Sequence, residues 1–278
     1  MQNCEILGIL NLTEDSFSDG GKYIESKNAI LQAKFLAQSG AGIIDLGAQS
    51  SNPDAEPVPE EIEWLRLEKL IQTIQKDFPV GQQISIDSFR PGVLRKAIEY
   101  KIDFWNDITA LRSEECIEIL QSSDYIPNII LMYSHSQTDK AIKDSLLKPE
   151  SIMDTICTFF EAKRNILVSK GIPEDKIIFD PGMGFFLGAD ANLSFSVLRE
   201  INRFKKEFSK VLISVSRKSF LTAAIGNIPP LDRSAATLAA EMYCYENGVD
   251  FIRTHDPLQL KQAMKVSEFI YHKNNGSA

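Results

Sequence analysis

The chain has 278 residues, 44% of them hydrophobic and 24% charged, and a net charge of −8, the composition of a globular protein with a sizeable core. The acidic balance disfavours a nucleic-acid partner, which calls for a basic stripe, but allows a small anion held by a few local cations. No uninterrupted apolar run of about 18 residues and no basic-then-apolar leader occurs, so no membrane partner and no secretory signal are expected. Cys4, Cys116, Cys157 and Cys244 are widely spaced and form no CxxC, which speaks against disulfides and structural zinc. Free thiols in a reducing, cytoplasmic setting are the expectation.

The chain then alternates two kinds of segment. Glu5 to Leu12 reads as a buried strand and TEDSFSDGG as the loop after it. A helix is expected from about Lys27 to Ser39, with Ala29, Ala33, Leu36 and Ala37 on one face and Gly40 as its stop. GIIDLGA is a second strand, ending near Asp45, followed by the loop QSSNPDAEPVP. A long helix then runs to about Asp77, with Leu67, Leu70, Ile71, Ile74 and Phe78 at offsets of 3, 4, 7 and 11. ISID ends a third strand at Asp87, and Pro91 opens a helix where proline is tolerated.

DFWNDI and NIILMYS give the fourth and fifth strands, the latter followed by a helix with Ile152, Ile156, Phe159 and Phe160 on one face. Ile177 to Asp180 is the sixth, cut short by Pro181 and Gly182, with one helix expected over Asn192 to Phe208. VLISVS is the seventh, DFIRTH the eighth, and a last helix starts near Leu258. Eight strand–helix units in strict alternation predict a single-domain α/β (β/α)8 TIM barrel over residues 1–272, with 273–278 as a disordered tail. An open doubly wound sheet is the alternative, weakened by the lack of a GxGxxG loop.

In such a barrel the strand ends converge on one mouth, where active sites of this fold lie. They are Asn11, Asp45, Asp87, Asn106 with Asp107, Met132, Asp180, Ser216-Arg217-Lys218, and Arg253 with His255. Asp45 and Asp107 are read as satisfying neighbouring backbone amides. Asp87, Asn106, Asp180 and Lys218 form a complementary edge for a planar, donor-rich heterocycle. Asn11, Arg253 and His255 suit an oxyanion such as phosphate, together with Mg²⁺, which prefers oxygen ligands. No HExxH, CxxC or GxSxG pattern supports a zinc or serine hydrolase.

These strand ends also carry a resemblance. GILNLTEDSFSDGG, SIDSF, NDI, DPGMGF, SRKS and IRTHD, in this order, resemble dihydropteroate synthase over nearly the whole chain. The resemblance implies condensation of 6-hydroxymethyl-7,8-dihydropterin pyrophosphate with p-aminobenzoate, giving 7,8-dihydropteroate and pyrophosphate. It implies a pterin pocket at Asp87, Asn106, Met132, Asp180 and Lys218, and pyrophosphate held by Asn11, Arg253 and His255, with Asn11 also on Mg²⁺. It implies a p-aminobenzoate side at Phe17, Ser51, Pro53, Phe185, Phe186, Ser216, Arg217 and Lys218. Catalysis would rest on Asp87, Asp180, Lys218, Arg253 and His255, and the protein would be a homodimer.

The departures from the family pattern are specific. Ala48-Gln49-Ser50-Ser51-Asn52-Pro53 stands where the family has Gly-Glu-Ser-Thr-Arg-Pro, so Asn52 replaces an arginine. Tyr133 replaces a histidine, and GFFLGAD is slightly longer and adds Phe186. LGAQSSNPDA, DPGMGFFLG, SVSRKSF and FIRTHDP look like the sulfonamide-insensitive Sul-type enzymes, with Phe186 expected beside the arylamine site to exclude the drug. The competing readings are a pterin-dependent methyltransferase and a pterin-binding paralogue without turnover.

Overall fold

The structure, a computed structural model, describes residues 4–12, 22–49, 58–136 and 146–271. The expected tail and Phe17, Ser51, Asn52 and Pro53 lie outside the described residues. Eight parallel strands run β1 (Glu5–Asn11), β2 (Ile43–Gly47), β3 (Gln83–Asp87), β4 (Phe104–Asp107), β5 (Asn128–Met132), β6 (Ile177–Asp180), β7 (Leu212–Ile213) and β8 (Phe251–Thr254). Between and after them lie α1 (Lys22–Gln38), α2 (Glu60–Asp77), α3 (Pro91–Glu99), α4 (Glu114–Gln121), α5 (Ile152–Ser169), α6 (Ala191–Arg199), α7 (Ile201–Glu207), α8 (Thr222–Ile225), α9 (Ser234–Glu246) and α10 (Pro257–Tyr271).

The strands order as β6-β5-β4-β3-β2-β1-β8-β7, and a bridge from Phe179 to Val211 joins the two ends. The expected single-domain barrel is therefore what forms. Its closing seam is thin, because β7 has only two residues where six were expected. The chain leaves the sheet early to reach Arg217, which adopts a left-handed φ of 59°.

Side chains alternate across each strand. One set points outward to the helices and joins the main core, including Ile44, Ile86, Trp105, Leu131, Phe179 and Ile252. The other set fills the barrel with a separate apolar layer of Leu7, Ile43, Phe104, Ile130, Ile178 and Leu212. Two residues further along their strands stand Asp45, Asn106 and Asp180, so each keeps the inward parity of its apolar neighbour. The apolar layer thus forms the floor on which the polar mouth rests.

The helix expected over residues 192–208 is broken at Glu200 into α6 and α7. No glycine or proline marks the break in the sequence. Ile201 and Phe204 of α7, and Phe208 after it, are all buried. Phe160 of α5 packs against Phe179, Phe204 and Phe208 with ring centroids 5.2, 5.9 and 5.8 Å away. Among the described residues no helix is long and apolar enough to cross a membrane, and the four cysteines are free.

Phe160 is fully buried at the thin seam. Phe160→Ala is expected to lower stability by about 3–5 kcal/mol, the range for a large core aromatic, as read by denaturant unfolding.

Candidate active site

Arg253, on the inward face of β8, organises the mouth. Its Nε donates to Asp45 Oδ2 at 2.6 Å and its Nη2 to Asp87 Oδ2 at 2.7 Å, joining the tips of β2, β3 and β8. Asn106 of β4 reaches the same Asp45 oxygen at 3.4 Å, while Asp45 Oδ1 is buried with no hydrogen-bond partner. Asp45 therefore belongs to the site, and its reading as a backbone-capping carboxylate is corrected. Its inward parity, legible in the alternation of IIDLG, is the signal that reading lacked.

Asp107 does cap, as expected. One carboxylate oxygen accepts from the Thr109 amide at 2.7 Å and the Thr109 hydroxyl at 2.6 Å, and the other accepts from the Leu111 amide at 3.2 Å. Arg253 is expected at the anion end alone, but its guanidinium stands between the two ends because fully buried Asp45 and partly exposed Asp87 compete for it.

Burial pushes the Asp87 carboxyl up to about 7; Arg253 opposes this while Asp45, Glu63 and Asp107 add to it. Two carboxylates sharing one cation cannot both be fully compensated.

The second group forms where β6 meets the loop after β7. Asp180 accepts from the Gly182 amide at 2.9 Å. Gly182 has a φ of +70°, and a Cβ there would fall 2.2 Å from the Tyr133 carbonyl oxygen, so only glycine closes this turn. Burial raises Asp180 to about 6 against the opposing Lys218 ammonium, and burial lowers Lys218 to about 8 against the opposing Asp180. Lys218 Nζ donates to the Met183 carbonyl at 3.0 Å and lies 5.1 Å from the centre of the Phe186 ring. Met132 is level with Asp180 on the adjacent strand and buried. Phe186 is also tied through its carbonyl to the His135 amide at 2.9 Å, whereas Phe185 is 37% exposed.

The third group joins the lips of β7 and β8. Ser216 Oγ accepts from the His255 amide at 3.1 Å and lies 3.0 Å from His255 Nδ1. Burial, reinforced by Arg217, Arg253 and Lys218, pulls His255 down to about 3, so its imidazole is neutral at pH 7. Arg217 is braced through its backbone: its amide donates to Thr237 Oγ1 at 3.0 Å and its carbonyl accepts from Arg233 Nη1 at 2.8 Å.

Asn11 stands exposed at the tip of β1, level with Gly47, which is in turn level with Asp87. A Cβ on Gly47 would lie 3.3 Å from Asn11 Oδ1 and 3.6 Å from the Asp87 Cβ. The small residue lets the two polar side chains approach across β2.

Ala48, Gln49 and Val58, which flank residues 50–57, are clamped. The Val58 amide donates to Gln49 Oε1 at 2.8 Å, and Arg66 Nη1 donates to the Ala48 carbonyl at 3.3 Å. Arg90 donates to the Val58 carbonyl and pairs with buried Glu63 at 3.3 Å. Nothing local in the sequence marks this clamp, because Glu63 has the look of an ordinary helix-surface charge and Arg90 that of a loop charge ahead of α3.

Asp87 and Asp180 bind their protons more tightly folded than unfolded, so their contribution to stability is full below about 4 and is lost as pH rises through about 6 to 7. Asp180→Asn is therefore expected to gain stability relative to the parent chain between pH 4 and pH 7, in denaturant titrations across that range.

The family model described as "Pterin binding enzyme" matches residues 7–255. The chain is 42% identical over 265 residues to dihydropteroate synthase type-3 of Escherichia coli, covering 95% of this chain and 98% of that one. It is 40% identical over 262 residues to dihydropteroate synthase type-2 of Escherichia coli, covering 94% of each. Among solved structures, dihydropteroate synthase from Clostridium difficile in the presence of pteroic acid superimposes with a TM-score of 0.85 at 30% identity, covering 98% of both chains. By sequence and by fold, the chain belongs to the dihydropteroate synthase family of pterin-binding enzymes.

Proposed function

We propose that the mouth condenses 6-hydroxymethyl-7,8-dihydropterin pyrophosphate with p-aminobenzoate, giving 7,8-dihydropteroate and pyrophosphate. The observation that carries this reading is the pairing of buried Asp180 with half-buried Lys218 beside the Asp45–Arg253–Asp87 group. Pteroic acid, which accompanies the Clostridium difficile relative, is a pterin joined to p-aminobenzoate and so spans both halves of this reaction.

Asp87, Asn106, Asp180 and Lys218 bind the pterin edge, with Met132 against its face. The bond from the pterin methylene to the pyrophosphate oxygen breaks, and the methylene carbon gains positive character that the Asp87 and Asp180 carboxylates stabilise. The arylamine nitrogen then bonds to that carbon and loses a proton. Asp45 and Asp87 occupy Nε and Nη2 of Arg253, leaving Nη1 for the departing anion, and neutral His255 adds one ring N–H donor. Ser216, Arg217 and Lys218 border the p-aminobenzoate side, to which the family resemblance also assigns Phe17, Ser51 and Pro53.

Among the described residues no group of three or more His, Cys, Asp or Glu could hold a metal. Asn11 supplies one exposed amide oxygen, a donor set that fits Mg²⁺ held largely by water and phosphate oxygens. Bound there, the ion would neutralise charge on the leaving group. With neutral Asn52 in the place of the family's arginine, Arg253 and His255 carry more of that task. The expected homodimer is supported by exposed apolar side chains on α10, including Phe269 and Ile270.

We read the enzyme as Sul-type. Its added Phe186 is held against the Lys218 ammonium, at the border of the arylamine subsite. The N-substituent of a sulfonamide projects beyond the space p-aminobenzoate fills, and a fixed ring there excludes it by overlap.

Pyrophosphate release is expected to require both substrates and to fall about 100-fold or more in Lys218→Met, the scale of losing one preorganised charge contact. Release without p-aminobenzoate, or an unaffected variant, would overturn the assignment. Deleting Phe186 with Leu187 is expected to strengthen sulfonamide inhibition about tenfold or more, equivalent to about 1.4 kcal/mol. Unchanged insensitivity would remove Phe186 from the explanation.

A further inference from the structure

Two hydrogen bonds from outside the segment anchor Gly184–Phe186, the short turn that carries the Phe186 ring. At its start the Gly184 amide donates to Ser194 Oγ of α6 at 2.9 Å, and both residues are buried. At its end the Phe186 carbonyl accepts from the His135 amide at 2.9 Å, in the loop after β5. Within the turn the Leu187 and Gly188 amides donate to the Gly184 carbonyl at 2.9 and 3.2 Å, and the Leu187 side chain is fully buried.

The loop after β5 is braced in turn. Arg112 Nη2 donates to the Ser136 carbonyl at 3.1 Å, one residue past the His135 amide, and the Ser136 amide donates to Ser134 Oγ at 3.3 Å. The chain enters Arg112 from a strained turn. Buried Ala110 and Leu111 both take a left-handed φ, 55° and 51°, which disfavours residues with a Cβ. Asp107 accepts from the Thr109 and Leu111 amides, and Lys163 Nζ of α5 donates to the Leu111 carbonyl at 3.2 Å. Strain of this kind persists only where the surroundings over-determine it, and it clusters where geometry matters to function.

We propose that Arg112 and Ser194 are specificity-determining positioning residues: together they keep the Phe186 segment from yielding to the N-substituent of a sulfonamide. The proposal rests on the Sul-type reading of Phe186 and says what makes that ring an effective barrier.

A side chain excludes a ligand only by as much as it costs to push that side chain aside. p-Aminobenzoate has no N-substituent, so its binding does not depend on that cost. Discrimination between substrate and drug is therefore set by how firmly the segment is attached, and not by the ring alone. Ser194 fixes the start of the segment, and Arg112 fixes its end through Ser136 and His135. Neither residue is assigned to either substrate, so loosening them changes what is excluded more than what is bound.

The test uses sulfanilamide, which has no N-substituent, and sulfamethoxazole, which carries an isoxazole there, as competitors of p-aminobenzoate on the full chain. In Arg112→Met and Ser194→Ala the sulfamethoxazole Ki is expected to fall about three- to tenfold, the scale of one lost hydrogen bond. The sulfanilamide Ki and the KM for p-aminobenzoate are expected to stay at their parental values. Arg112→Lys, which keeps a donor, is expected to match the parent chain. In the ligand-free variants, amide hydrogen exchange over residues 184–188 is expected to quicken while that of β2 and β3 does not.

Parental sulfamethoxazole Ki in the folded variants would overturn the proposal, as would unchanged exchange over residues 184–188. A parallel fall in both inhibitor constants would overturn it too, since it marks a generally loosened site. So would Arg112→Lys behaving like Arg112→Met. Arg112 is exposed, so its variants keep the test decisive should Ser194→Ala fail to fold. The Sul-type reading fails separately, when deleting Phe186 with Leu187 leaves the sulfamethoxazole Ki unchanged. The proposal fails when that deletion sensitises the enzyme and the two point variants do not.

Discussion

The structure depends on one guanidinium held between two carboxylates. Arg253 reaches Asp45 on β2 and Asp87 on β3 from β8, across the inside of the barrel. Each of these groups would be expensive to bury alone, and each is compensated mainly by the others. The arrangement fixes three strand tips relative to one another, and because one cation serves two anions it leaves Asp87 easy to protonate. Asp180 and Lys218 repeat the logic on the other side of the mouth, where burial weakens both charges and their proximity restores them. A site built from such marginal charges responds strongly to a charged ligand, because the ligand completes a neutralisation the protein leaves unfinished.

Rigidity comes from the opposite faces of the same loops. The Ser194 hydroxyl of α6 receives the Gly184 amide, Arg233 and Thr237 hold the backbone of Arg217, and Arg90 with Glu63 secures the base of the loop after β2. Inward side chains face the ligand while outward and helical ones hold the loops in place. Phe186 sits at the junction: its carbonyl holds the His135 amide and its ring lies 5.1 Å from the Lys218 ammonium.

Much of this was legible beforehand. Eight apolar runs ending in polar residues and alternating with helices point to a barrel, and the bridge from Phe179 to Val211 is what closes it against the open doubly wound alternative. The gathering of Asp87, Asn106, Asp180, Lys218, Arg253 and His255 at one end follows from that topology alone. The break at Glu200 and the two-residue β7 were not legible. Both answer to packing at the seam, where Phe160 and Phe208 meet Phe179 and Phe204 packs on both of them, and local propensity carries no trace of that demand.

The same division holds at the site. The sequence by itself determined which residue types reach the mouth, since parity along a strand is a local property, and its motifs carried the family. Only the tertiary structure decided which of them pair. Asp45, read as a cap, becomes a partner of Arg253, and Glu63 of α2 pairs with Arg90 just ahead of α3. Asp45 and Arg253 are separated by 208 positions in the chain, and no local rule spans that distance. Closure of the barrel brings them to 2.6 Å, and desolvation there makes the pairing matter.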